Sequence, residues 1–165
     1  MKKSTFLFFG IIFLSISSIS AQVSEDNILF LQLKKMDSIV FVEGFNKCNL
    51  IELEKTLHSE IEFYHDVGGI QNKEGFMLSM KNNICSNNPQ KPIRKLVEGS
   101  LEVFPLYNQG TLYGAIQNGT HEFWIKEPNK ELYQTGIAKF STTWLLIEGE
   151  WKMKNILSFD HHEAK

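Results

Sequence analysis

The chain has 165 residues, 42% of them hydrophobic and 22% charged, with a formal charge of -2. That length supports one ordinary hydrophobic core, and mild acidity without a basic cluster speaks against a nucleic-acid partner. Beyond the first residues, no stretch is apolar for long enough to cross a bilayer as a helix.

Residues 1–21 read as a signal peptide rather than as fold. Lys2 and Lys3 form a positive start, 6–16 is a short apolar core, and small residues end at Ser20-Ala21-Gln22. A membrane anchor is the other reading, but the run is short for a span and ends in serines. No Cys follows it, which speaks against a lipid anchor. The expected mature chain is one domain over 22–165, exported to the periplasm or secreted, with no stable membrane insertion after cleavage.

Ser24 is placed to cap a first helix running to about Phe45, with Leu29, Leu33, Met36 and Val40 on one stripe. Ile28, Leu31, Ile39 and Phe41 widen that stripe, which predicts burial on more than one side. Asn49 followed by Glu52 reads as a cap for a short second helix carrying Leu53 and Leu57. Residues 60–66 read as a strand with Ile61 and Phe63 on one face, and Gly68-Gly69 as a turn or tight hairpin. Asn72 caps a third helix carrying Phe76, Met77, Met80 and Ile84, stopped by Asn87-Asn88-Pro89. Cys48 precedes one helix start and Cys85 falls at a helix end. An oxidising compartment permits a Cys48–Cys85 bridge, and two buried thiols are the alternative.

Long strand-like runs follow. Residues 94–104 alternate, with Val97, Leu101 and Val103 on one face, and 105–110 reads as a loop. Residues 111–125 form a long strand in which Gly114 and Gly119 are candidate bulges. After a turn at 126–130 come strands at 132–147 and 151–161, joined at Glu148-Gly149-Glu150. Helices closed over one curved sheet make a hollow, and hollows hold small molecules.

Period-two alternation assigns side chains to faces. In the last strand Trp151, Met153, Leu157, Phe159 and His161 share the apolar parity. Ile61 and Phe63 carry His65 inward, and Tyr113, Ala115 and Phe123 carry His121. Three imidazoles thus converge as candidate acids, bases or hydrogen-bonding groups. Each has an ordinary reading as a core residue satisfied by a neighbour. Asp66 reads as a turn residue beside Gly68-Gly69 rather than as an orienter of His65. No metal is expected: His65, His121, His161 and His162 could offer ligands, but no H-x-x-x-H or H-E-x-x-H spacing occurs. No nucleophile elbow or phosphate-binding glycine loop is present, and no cofactor is expected. Ile116, Trp124 and Ile156 fall on the opposite sheet face, where an apolar surface could pair two subunits.

This order of elements resembles the nuclear transport factor 2-like superfamily, and within it exported bacterial domains of the SnoaL-like group and domain of unknown function 4440. The stretches that carry the likeness are Glu62-Phe63-Tyr64-His65-Asp66 with Gly68-Gly69, Leu96-Val97-Glu98-Gly99-Ser100-Leu101 and Leu112-Tyr113-Gly114-Ala115-Ile116-Gln117, then Ala138-Lys139-Phe140 and Ser158-Phe159-Asp160-His161. The resemblance implies a cone-shaped α+β fold, three N-terminal helices on a strongly curved antiparallel sheet, and often a homodimer through the sheet. It also implies a concave pocket, for which the candidate lining is Phe63, Tyr64, His65, Tyr113, His121, Phe123, Trp144 and His161. The first expectation is a small-molecule-binding domain. The rival is an isomerase, cyclase or dehydratase with His65, His121 or His161 as base. No carboxylate is inward by alternation, so the isomerase-like mechanism maps onto no specific position.

Overall fold

The computed structural model describes residues 21–164. The expected leader therefore lies outside the described residues, apart from Ala21. No helix among the described residues is long and apolar enough to cross a membrane.

Helix α1 (Ile28–Ser38) starts at Asn27, whose side chain accepts the Leu29 N–H at 2.8 Å. The cap is not Ser24, whose hydroxyl is spent on Asp26. Leu29, Phe30, Leu33 and Val40 are buried, while Ile28 and Leu31 are exposed, so the helix is covered on one side only. Its chain continues through Ile39–Asn46 as wider π-helical turns, closed by Lys47 N–H donating five residues back to the Val42 carbonyl. Helix α2 (Leu50–Thr56) is capped by Asn49 accepting from Glu52 N–H. Helix α3 (Lys73–Ser79) is capped by Asn72 accepting from Gly75 N–H, and it too widens to π geometry over Met80–Ile84. A Cys48–Cys85 disulfide joins the ends of the two π-helical stretches, with Cα atoms 5.6 Å apart. Closing a loop of that size stabilises the fold by about 4 kcal/mol on a chain-entropy account.

Seven strands form one curved sheet: β1 (Leu57–His65), β2 (Gly69–Asn72), β3 (Lys91–Leu96), β4 (Glu102–Asn108), β5 (Thr111–Lys126), β6 (Tyr133–Ile147) and β7 (Glu150–Glu163). The order is β2-β1-β7-β6-β5-β3, and β4 also pairs with β5. The sheet is mixed rather than purely antiparallel, because β1 runs parallel to β7. The long connection between those two strands makes a parallel pairing possible. The run expected at 94–104 is two strands. Gly99, at φ +72°, turns the chain out, and the Ser100 hydroxyl takes the Thr120 N–H that a continuous strand would have paired. Pro105 lies inside β4 and not in a loop; β4 pairs only with β5, so a missing N–H on its other edge leaves no gap.

Three irregularities decide which side chains face the helices. Leu106 opposes Gly114 but Tyr107 opposes Leu112, which leaves Tyr113 as an extra, outward residue. In β7, Met153 opposes Trp144 and Asn155 opposes Thr143, so Lys154 is the extra residue. Parity flips there: Ile156 and Ser158 are buried, and Leu157 and Phe159 point outward. A second shift follows at Asp160, at φ 61°, and parity flips back to turn His161 inward. Gly119 is no bulge. A Cβ there would stand 2.6 Å from the Phe140 ring, so glycine is what lets that ring lie against β5.

The core of Leu33, Leu53, Ile61, Val103, Trp144 and Met153 fills one part of the concave face. Gln117 is buried there with both ends matched: its amide donates to the Leu33 carbonyl at 3.0 Å, and its oxygen accepts the Trp144 indole N–H at 2.9 Å.

Candidate functional site

The rest of the concave face is hollow. A cavity of about 430 Å³ lies between the sheet and the two π-helical stretches. The sheet contributes the rings of Phe63, Phe123 and Phe140 together with the smaller Thr142 and Ser158, and the helical segments contribute Phe41, Phe45 and Phe76. Among the described residues, no Asp, Glu, Lys or Arg lines the cavity.

Of the residues expected to line a pocket, Phe63, His65, His121 and Phe123 do so. Tyr64 does not; it is exposed on the outer face and its hydroxyl donates to Glu62 at 2.8 Å. Tyr113 does not, because the bulge beside Gly114 turns it out. Trp144 is solid core beside Gln117. Ile156, expected on the outer face, lines the cavity because of the shift at Lys154. His161 stands beside the lining, its ring stacked on His65 with centroids 4.4 Å apart and on Phe123 at 5.8 Å. His162 is exposed.

Behind His121 lies a buried ion pair that sequence reading missed. Arg94 holds Asp37 with two 2.8 Å hydrogen bonds, and its guanidinium lies over the Phe41 ring at 3.8 Å. Burial raises the Asp37 carboxyl above its ordinary range against the pull of Arg94. Arg94 Nε donates to His121 Nδ1 at 3.4 Å. Arginine cannot accept, so His121 Nδ1 must be the acceptor and its proton sits on Nε2. Burial, then the Arg94 charge, pushes the His121 pKa down to about 3, so the ring is neutral. His121 Nε2 is buried with no partner, although His121 is only 3% exposed. Gln71 Oε1 is the second buried side-chain polar atom without a partner among the described residues, and Gln71 also lines the cavity. The two residues that carry an unmatched donor and an unmatched acceptor therefore both line the same hollow.

The other two imidazoles are fixed by their neighbours in the same way. His65 Nδ1 accepts the backbone N–H groups of Val67 at 3.1 Å and Gly68 at 2.9 Å, which leaves its proton on Nε2. Burial lowers the His65 pKa, as does the nearby His161 charge, against a weaker opposing pull from Asp66. His161 is the opposite case. Its Nδ1 meets Asp66 Oδ1 at 2.5 Å and its backbone N–H donates to Asp66 Oδ2 at 3.1 Å. Asp66 therefore orients His161, a role that reading it as a turn residue missed. Burial opposes the Asp66 carboxylate, but the His161 hydrogen bonds and the two imidazoles outweigh it and hold its pKa below the usual range. His161 Nε2 is then the free acceptor, and the Ser158 hydroxyl lies 3.3 Å from it.

The ligating atoms of His65, Asp66 and His161 lie within 4.8 Å of one another, a mix that suits a divalent metal in type. Both Asp66 oxygens and His65 Nδ1 are, however, already taken by hydrogen bonds.

No family model matches this sequence, and no curated protein matches it. Solved structures do. A putative calcium/calmodulin dependent protein kinase II association domain from Xanthomonas campestris is 12% identical, with TM-score 0.62 over 87% of this chain and 96% of that one. An NTF2-like protein from Cytophaga hutchinsonii is 14% identical, with TM-score 0.58 over 80% of this chain and 97% of the other. An NTF2-like superfamily protein from Salmonella enterica is 15% identical, with TM-score 0.60 over 82% and 91%. The chain has the nuclear transport factor 2-like fold. Identities this low establish the NTF2-like architecture alone, and the chemistry has to come from the cavity.

Proposed function

We propose that this NTF2-like domain binds a neutral, mainly apolar small molecule that carries a carbonyl or similar acceptor oxygen. The reading is carried by His121, a residue that lines a cavity walled by phenylalanine and whose Nε2–H has no protein partner. A buried donor left unpaired costs about 1–3 kcal/mol, and a ligand oxygen would recover that. Gln71 Oε1 adds a preference for a second group that donates, such as a hydroxyl. A charged ligand fits poorly, since the lining holds no counter-ion. An exported location belongs to the same reading, supported by the Cys48–Cys85 bridge.

The test compares acetylnaphthalene with ethylnaphthalene, which match in shape and differ in the carbonyl. The wild-type protein is expected to bind the ketone about tenfold more tightly, the worth of one hydrogen bond. His121→Phe should erase that difference while still binding the hydrocarbon. Equal affinities in the wild type, or no binding of either, would refute the reading.

A further inference from the structure

In a regular strand, residues three apart point to opposite faces. Ser158 and His161 do not, because the left-handed Asp160 inserts one extra residue between them. The result is a chain of contacts: Ser158 Oγ to His161 Nε2 at 3.3 Å, and His161 Nδ1 to Asp66 Oδ1 at 2.5 Å. Ser158 is 5% exposed and lines the cavity. An alcohol beside an imidazole whose far nitrogen is held by a carboxylate is the arrangement that activates serine as a nucleophile. It is recognised by geometry and roles rather than by sequence position or fold.

We propose that Ser158, His161 and Asp66 form a nucleophile, base and orienter that hydrolyse neutral, apolar carboxylic esters held in this cavity. The proposal rests on the cavity reading above. Ser158 Oγ attacks the ester carbonyl carbon while His161 Nε2 takes the hydroxyl proton. The tetrahedral intermediate collapses, the bond to the alcohol oxygen breaks, and His161 returns its proton to that oxygen. Water then attacks the acyl-Ser158 carbonyl, again losing a proton to His161. The Ser158 oxygen leaves with that proton, and a carboxylic acid departs. Charge developing on the carbonyl oxygen needs a donor. His65 supplies one: it is the register partner of Ser158 across β1 and β7, and its neutral ring presents Nε2–H. The absence of acidic and basic side chains from the lining limits the acyl group to uncharged chains or rings.

The probe is nitrophenyl hexanoate, followed by release of nitrophenolate. The wild type should show a burst approaching one equivalent per chain, and Ser158→Ala should turn over at least about 100-fold more slowly. Ser158→Ala should keep the wild-type midpoint in urea unfolding, which shows the fold intact. Ser158 Oγ should attack the phosphorus of a fluorophosphonate and expel fluoride, with the adduct mapped by mass to that residue. Labelling should fall in Asp66→Asn and partly return in Asp66→Glu, as expected of a positioning carboxylate. Equal hydrolysis by wild type and Ser158→Ala, or an adduct elsewhere, overturns the proposal. If the ester still displaces acetylnaphthalene in that case, the cavity reading survives. If neither molecule binds, both fall together.

Discussion

Near Trp144 the concave face of the sheet is packed solid, and near His121 and Ser158 it is hollow. Both regions contain buried polar side chains on the same sheet face. At the solid end Gln117 reaches from the α1 backbone to the Trp144 indole, and both ends of its amide are matched. At the hollow end His121 Nε2 and Gln71 Oε1 have no partner. Unmatched buried polar atoms are rare in folded proteins, and here both belong to residues that line one cavity. Polar satisfaction, more than hydrophobicity, separates the part of the interior that holds the fold together from the part free to take a ligand.

That contrast can be broken in order of expected effect. The ion pair behind the hollow should matter most. Arg94→Met leaves the Asp37 carboxylate buried and uncompensated and should lower stability by about 3–5 kcal/mol in urea unfolding. A loss below about 1 kcal/mol would mean that the pair is not a structural wall of the cavity. At the solid end, Trp144→Phe strands Gln117 Oε1 and should cost about 1–3 kcal/mol beyond the lost packing. Its double-mutant cycle with Gln117→Leu should recover most of that polar share.

A pH difference comes next. Folding lowers the His121 pKa from 6.5 to about 3, so on acidification the unfolded chain takes up the proton first. Stability from this residue is complete above the unfolded value and is lost as pH falls toward the folded one. Relative to His121→Gln, the wild type should lose about 1.4 kcal/mol between about pH 5.5 and pH 4.5. Parallel curves for the two proteins would show that His121 is not held neutral. The smallest effect belongs to Gln71→Met, which removes a partnerless acceptor along with the amide's bond to Ser79. Stability should be unchanged or higher by up to about 1 kcal/mol, against the clear loss at Trp144.

The order of helices and strands was largely legible, because caps and periodicity are local. Asn49 and Asn72 cap the helices they were expected to cap. Faces were legible only up to the first bulge. Alternation put His161 inward, and His161 is inward, but through two register shifts that cancel, at Lys154 and at Asp160. The residues between those shifts came out reversed: Leu157 and Phe159 are outside, and Ile156 and Ser158 are inside. Ser158 was missed for that reason. The available signal was Asp160, a residue that tolerates the left-handed conformation, set inside an apolar strand. Tyr113 failed in the same way beside Gly114. Trp144 failed differently. Its face was right, but parity says nothing of whether the space above a residue is filled. The Arg94–Asp37 pair joins residues 57 apart in sequence, and no local pattern announces it.

The two π-helical stretches that roof the hollow have a consequence for how such a domain diverges. A widened turn holds one residue more than an α-helical turn, so losing a single codon within 39–46 or 80–84 would restore α geometry. Side chains beyond the deletion would keep their facing, while those within the widened turns would be redistributed around the helix axis. Phe45 or Ile84 would leave the roof without any change to the floor. Changes of length at these two places, more than replacements among the rings, are the short evolutionary route to a differently shaped chamber.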